Sequence, residues 1–366
     1  MSTIAPSSSA FRTRQSRLFA RMAAIPFETY QLDVAWGRFG DLTRRSLEKK
    51  YADADRISVP VTEERYQIAG IDPQPAAEDL FYTFVEIDGE WFVAEDTDLD
   101  DLTLYSARHL WDFGPVEEST ADGFVMYQHP CSGGVFCGDD KLLTAARQGL
   151  ERVQEYWREV PSQVLILVPA SQNEVERMIQ ATFDLDNFVA FAYSTIDVAD
   201  GVDYTGHRII VNPPAFRGRD STSTMQILAH ELLHVSTREA SGPFIPVFVE
   251  EGFADHVGYD ADPNALGFLQ SRIEQGVFDG RLPEDYEFTI GTGDEIFNSY
   301  QESLSAVQFF IDRWGIEKFR RFYRALGQIK NEPGTTRYWL DMMLKRTIGI
   351  GTERFEDEWA DTIAGL

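Results

Sequence analysis

Positive charge is what this chain has least of. Only 6 of its 33 basic residues are lysine, against 60 acidic residues, and the net charge is −27. A surface of that sign repels phosphate backbones and anionic membranes, so neither nucleic acid nor an acidic lipid surface is expected as a partner. Long apolar runs are also missing. None approaches the roughly 18 consecutive apolar residues of a membrane-spanning helix, so no membrane insertion is expected. The apolar stretch of a secretion signal is absent: Met1 to Ala10 is polar and Ser-rich, and Arg12, Arg14, Arg17 and Arg21 follow. Either the protein stays in the cytoplasm, or an export signal was removed and its place is extracytoplasmic. No internal repeat is visible.

Cysteine is scarce. Cys131 and Cys137 lie in Cys131-Ser132-Gly133-Gly134-Val135-Phe136-Cys137-Gly138, a Gly-rich segment able to bend back. A local disulfide, and with it an oxidising compartment, fits that spacing; two free thiols in a linker are the alternative. The pair lacks the spacing and further ligands of a zinc knuckle.

What the chain does contain is apolar mass and one pattern with chemistry in it. Hydrophobic residues make up 43% and aromatic ones 13%, enough for buried cores, and 366 residues allow two domains. The pattern is His230-Glu231-Leu232-Leu233-His234, inside the helical run Met225 to Val235. Residues four apart on a helix share a face, so both imidazoles can reach one metal ion. Glu231 lies on the neighbouring face, within reach of a water that the metal activates. Asp220 to Thr224 offer N-caps, and Leu228, Leu232 and Val235 supply a buried stripe.

A catalytic zinc takes three protein ligands and keeps one position open. The third is sought in Val247-Phe248-Val249-Glu250-Glu251-Gly252-Phe253-Ala254-Asp255-His256, a helix that Pro246 can open. Glu250 and Glu251 are both candidates, and His256 is a further possible donor. Asp255, one turn beyond Glu251, is the candidate carboxylate for holding the second ring nitrogen of a ligating histidine.

These segments resemble the gluzincin metallopeptidases, distantly the M1 aminopeptidases and more closely the shorter peptidase MA-like bacterial proteins. The resemblance covers about residues 140 to 366. It implies a thermolysin-like domain with one Zn2+ per chain, and it selects Glu251 as the third ligand, because the Glu before Gly252-Phe253-Ala254 takes that role in the family. The segment Asn298 to Phe310 is similar to the M1 segment in which a Tyr begins a helix and steadies the oxyanion; Tyr300 takes that place. By the same resemblance the strand Ile209, Ile210, Val211, Asn212 is the edge that pairs with an extended substrate. The interval from His234 to Glu251 is shorter than in M1. No Gly-x-Met-Glu-Asn segment is present, so aminopeptidase specificity does not transfer.

The rest of the chain is read more coarsely. Residues 1–10 are expected as a disordered tail. Residues 11–130 are expected as an α+β domain similar to the NTF2 or cystatin type: mostly helix to about residue 55, then strands at Tyr66–Gly70, Leu80–Ile87, Glu90–Ala94 and Gly123–Tyr127, with Asp88-Gly89 as a hairpin turn. Glu95 to Asp101 carries calcium-like carboxylates but lacks the glycine and terminal glutamate of an EF-hand, and reads as a solvated acidic loop. Residues 140–366 are expected as the metallopeptidase domain, with mixed sheet and a mostly helical C-terminal part. The function that follows is a zinc-dependent peptidase with Glu231 as general base and a peptide or protein substrate. A zinc amidohydrolase of another kind, or a binding protein with a structural zinc, is the alternative. Nothing in the sequence sets an oligomeric state.

Overall fold

The computed structural model describes residues 9–35, 40–130, 141–182, 185–186, 188–197, 203–259, 266–330 and 332–364. Cys131, Cys137 and most of the expected 1–10 tail lie outside them. The chain mixes helix and strand. In order it forms α1 (Ser9–Met22), β1 (Phe27–Val34), α2 (Arg45–Lys50), β2 (Arg56–Ser58), β3 (Val61–Ile68), β4 (Ala76–Phe81), β5 (Thr83–Ile87) and β6 (Glu90–Glu95). Then come α3 (Leu110–Phe113), β7 (Glu117–Ala121), β8 (Phe124–Gln128), α4 (Lys141–Tyr156), β9 (Val164–Val168), α5 (Gln172–Met178), β10 (Ala190–Asp197) and β11 (Asp203–Val211). The remainder is helical: α6 (Ser221–Thr237), α7 (Val247–Tyr259), α8 (Gly267–Glu274), α9 (Gly293–Trp314), α10 (Ile316–Gly327), α11 (Thr336–Ile348) and α12 (Thr352–Ala364).

Two compact units result. The first takes residues 1–138 and 163–217; the second takes 139–162 and 218–366. Among the described residues the first unit has three sheets, ordered β1-β3-β4, β2-β5-β6 and β10-β11-β9-β8-β7. The last of these draws strands from both sides of residues 131–140, so the division expected at 11–130 and 140–366 differs from the one the packing makes. The cause is β9: its five apolar residues are all buried, and β8 and β11 flank it in parallel register, Met126 opposite Ile166 and Ile209 opposite Ile166. The Asp88-Gly89 turn forms as expected, with both residues at positive φ (53° and 79°) and Ile87 paired with Glu90.

Two expectations fail in this unit. Residues 27–34 are not helical. They form β1, paired antiparallel with β3 from Phe27 opposite Ile68 to Val34 opposite Thr62. Thr29, Tyr30 and Val34 suit a strand, and the pairing partner lies more than 25 residues away, beyond any local periodicity. The acidic segment is solvated only in part, at Asp101, whose side chain is 67% exposed. Asp96 is fully buried, accepts from Gln15 (3.1 Å) and Arg108 (2.8 Å), and pairs with Arg14 at 2.7 Å. Asp98 accepts from Tyr51 (2.7 Å) and Thr83 (2.8 Å). Each carboxylate meets donors of this chain, which is what makes its burial tolerable.

The second unit is a helical layer around an aromatic core. Phe253 packs on Phe319 with ring centroids 4.9 Å apart, Trp157 on Tyr323 at 5.6 Å, and Phe310 on Phe322 at 5.3 Å. These rings bury large apolar area where α4, α7, α9 and α10 meet. Among the described residues no helix is long and apolar enough to cross a membrane.

Candidate metal centre

The helix α6 starts where Asp220 accepts the backbone N–H of Ser223 at 2.7 Å, an N-cap that occupies an otherwise orphan donor. From that start, His230 and His234 fall one turn apart on one face, their Nε2 atoms 3.1 Å from each other. The helix α7 begins after Pro246, and its first N–H, that of Val247, donates to Asp285 Oδ1 at 2.8 Å. It crosses α6 closely enough that a Cβ on Gly258 would come within 2.9 Å of the Gln226 carbonyl. On its other side, Gly252 lies against the Ser303 carbonyl of α9, with no room for a side chain. A glycine inside a helix costs about 1 kcal/mol relative to alanine. Here it is what lets α7 carry Glu251 up to the histidines while packed on α9.

Glu251 Oε2 stands 3.2 Å from His230 Nε2 and 3.5 Å from His234 Nε2. The three ligand atoms therefore form a triangle with sides of 3.1, 3.2 and 3.5 Å. Ligands at about 2.05 Å from a tetrahedral zinc are about 3.3 Å apart, so the triangle matches one face of that tetrahedron. This trio is a group able to hold a metal ion. Its donor set, two imidazoles and one carboxylate, is one of the catalytic zinc sets.

The neighbouring residues fall apart by role. Glu250 turns away and accepts from Ser241 Oγ (3.0 Å) and the Tyr323 hydroxyl (3.3 Å). His256 packs edge-on against Tyr156, with ring centroids 5.2 Å apart, and is not in the trio. Asp255 Oδ1 lies 2.8 Å from His230 Nδ1, so the ring nitrogen not facing the trio is held by a carboxylate.

The electrostatics of the trio can be met by a cation or by shared protons. Burial alone would drive the proton off His230, yet the hydrogen bonds with Asp255 and Glu251 raise its pKa well above the usual range. Burial would raise Glu251, but the charge of His234 and hydrogen bonds with His230 and His234 hold it far below the usual carboxylate range. Glu231, Glu251 and Asp255 thus oppose two imidazoles in a buried space, and a divalent ion can offset that excess. Burial, with the charges of Glu251, Asp255 and Glu231, also pushes the Tyr300 hydroxyl well above its usual pKa, so it stays a donor. Tyr300 is not at a helix start as expected. Thr292 and Glu295 form a capping box that begins α9 at Gly293, two turns earlier, and the Tyr300 ring meets Phe288 edge-on at 5.3 Å.

The expected substrate edge is corrected. Ile209, Ile210, Val211 and Asn212 belong to or follow β11, which lies between β10 and β9 in its sheet. Ile209 is paired with Ala192 and Ile166, Ile210 with Phe191 and Leu167, and Val211 with Ala190; the Asn212 N–H donates to the Val189 carbonyl at 2.8 Å. Strand order is a non-local property, and it occupies both sides of Ile209 and Ile210. What sequence reasoning missed around the centre is the close helix packing at Gly252 and Gly258, signalled by glycines inside an apolar helix, and the anchor at Asp285, which had no local signal.

No family model matches the chain, and no curated protein matches it. Among solved structures it is similar to the M1 zinc metallopeptidase from Deinococcus radiodurans, at 13% identity and a TM-score of 0.38, over 67% of this chain and 51% of that one. The chain spans about half the length of that enzyme. Similarity this remote identifies neither a family nor an activity.

Proposed function

We propose that the protein is a zinc-dependent peptidase of the gluzincin type, with His230, His234 and Glu251 as the ligands of one zinc ion. The observation that carries this reading is the triangle of His230 Nε2, His234 Nε2 and Glu251 Oε2 at tetrahedral spacing, backed by Asp255 on the far nitrogen of His230. Peptide bonds are named as the target on the resemblance of His230–His234, Glu251–Asp255 and Asn298–Phe310 to that family. When bound, zinc supplies a Lewis acid that polarises the scissile carbonyl and lowers the pKa of water.

The protein's own groups do the rest. Glu231, adjacent to a ligand and buried beside it, accepts the proton of the attacking water and returns it to the departing amine. Tyr300, kept protonated, donates toward the carbonyl oxygen as it gains charge. Asp255 fixes the tautomer and tilt of His230. The test is Glu231→Gln in the zinc-loaded full chain. It should keep about one zinc per chain and lose about 10²- to 10⁴-fold in kcat on a broad peptide library. Cleavage at the wild-type rate would overturn the mechanism.

A further inference from the structure

The stretch Tyr286 to Phe297 carries three large apolar side chains that are each more than half exposed: Ile290 at 69%, Tyr286 at 59% and Phe297 at 52%. Single exposed hydrophobics are ordinary, but three within one stretch beside a candidate site are not. The stretch is fastened down at both ends. Asp285 accepts the first N–H of α7, the helix that bears Glu251. Phe288 is buried with its ring against Tyr300. The Ile290 N–H donates to the Tyr286 carbonyl at 2.9 Å, one turn back, and Thr292 starts α9 through its capping box. Phe297 precedes Tyr300 by three residues on α9, so the two lie on one face of that helix. The apolar groups are therefore presented by ordered backbone, and Phe297 lies about one turn before the proposed oxyanion donor on α9.

The charge along this stretch of sequence has one sign. From Leu282 to Asp312 there is no lysine or arginine, while Glu284, Asp285, Glu287, Asp294, Glu295 and Glu302 fall within it. Arg337 reaches Glu284 at 3.8 Å, and Arg272 pairs with Glu302. Glu287 and Glu295, which flank the apolar groups, accept from the backbone N–H groups of Glu284 (2.6 Å) and Thr292 (2.7 Å), and with Asp294 they are in no ion pair among the described residues. We propose that Tyr286, Ile290 and Phe297 dock an extended peptide segment bearing an apolar side chain flanked by basic ones. The apolar contact supplies most of the affinity, and the surrounding carboxylates select the sign of the neighbours. This rests on the reading of His230, His234 and Glu251 as a hydrolytic centre.

The test uses the full zinc-loaded chain with Glu231→Gln, so that peptides bind without turnover. Three labelled decapeptides are compared by fluorescence anisotropy: Arg-flanked Phe, Glu-flanked Phe, and Arg-flanked Ser. The Arg-flanked Phe peptide should bind most tightly and weaken with added salt. Adding Ile290→Ser should cost it roughly tenfold while zinc content and melting stay unchanged, because that side chain is 69% exposed. Equal binding of the three peptides, or undiminished binding by the Ser variant, would overturn the proposal. The wild-type protein is assayed for cleavage of the same peptides in parallel. The binding order without any cleavage would sink the hydrolytic reading and leave the docking surface standing. Cleavage without the order would do the reverse.

Discussion

Each unit of this protein buries a histidine against a carboxylate, and the two pairs are built to opposite ends. In the first unit His109 Nε2 lies 2.6 Å from Glu64 Oε2, the Tyr30 hydroxyl donates to Glu64 Oε1 at 2.5 Å, and Trp111 stacks on the imidazole at 4.6 Å. Both oxygens of Glu64 are met by donors. In the second unit His230 meets Asp255 in the same way through Nδ1, but its Nε2 faces His234 Nε2 and Glu251 Oε2, which also carry lone pairs. A buried histidine–carboxylate pair is therefore no sign of a site by itself. Three Lewis bases converging at 3.1 to 3.5 Å are one, because only a cation or shared protons can satisfy them together.

The sharpest way to break that contrast is to count metal. Wild type should carry about one zinc per chain by inductively coupled plasma mass spectrometry, Glu251→Ala close to none, and Glu64→Gln the wild-type amount. Zinc that follows Glu64 rather than Glu251 would mean the two clusters have been assigned the wrong way round. Chelation should destabilise the wild type and leave Glu251→Ala unmoved, since only a bound ligand adds stability by mass action.

The next effect belongs to the first cluster. Glu64 and Glu78 are directly opposite each other on β3 and β4, both buried. Burial, aided by the charge of Glu64 and opposed by His109, Tyr193 and Arg208, pushes Glu78 up to about 7 from its usual 4.5. The folded state thus keeps a proton that the unfolded chain releases. Its contribution to stability is complete below pH 4.5 and is lost as pH rises through 7, on the order of 3 kcal/mol in all. Glu78→Gln should remove that slope from urea midpoints measured across this range and raise stability at neutral pH. A wild-type slope that persists in the variant would place the titration elsewhere.

What was legible in the sequence follows the same divide between local and non-local causes. The His230–His234 face, the Glu251 and Asp255 turn, the Asp88-Gly89 hairpin and the buried strand Val164–Val168 are each set within about ten residues, and each forms. The assignment of β11 as an edge failed because strand order depends on β9 and β10. The acidic loop was misjudged because Arg14 and Arg108, which hold Asp96, lie outside it in sequence. The early start of α9 is written locally: Thr292-x-x-Glu295 is a capping box that opens the helix two turns before Tyr300.

The smallest predicted effect tests the pair that the two clusters have in common. Asp255→Asn keeps an oxygen that can accept from His230 Nδ1–H but removes the negative charge, so the imidazole stays oriented and becomes a poorer donor to metal. Zinc affinity should fall about 10- to 100-fold by competition with a chromophoric chelator, with the chain still folded. Asp255→Ala, which also removes the orientation, should fall further. Glu64→Gln, the equivalent change at His109, should leave zinc affinity untouched, because among the described residues His109 belongs to no group able to hold a metal ion. Wild-type affinity in Asp255→Asn would reduce Asp255 to a packing residue, and the two histidine–carboxylate pairs would then differ only in what converges on them.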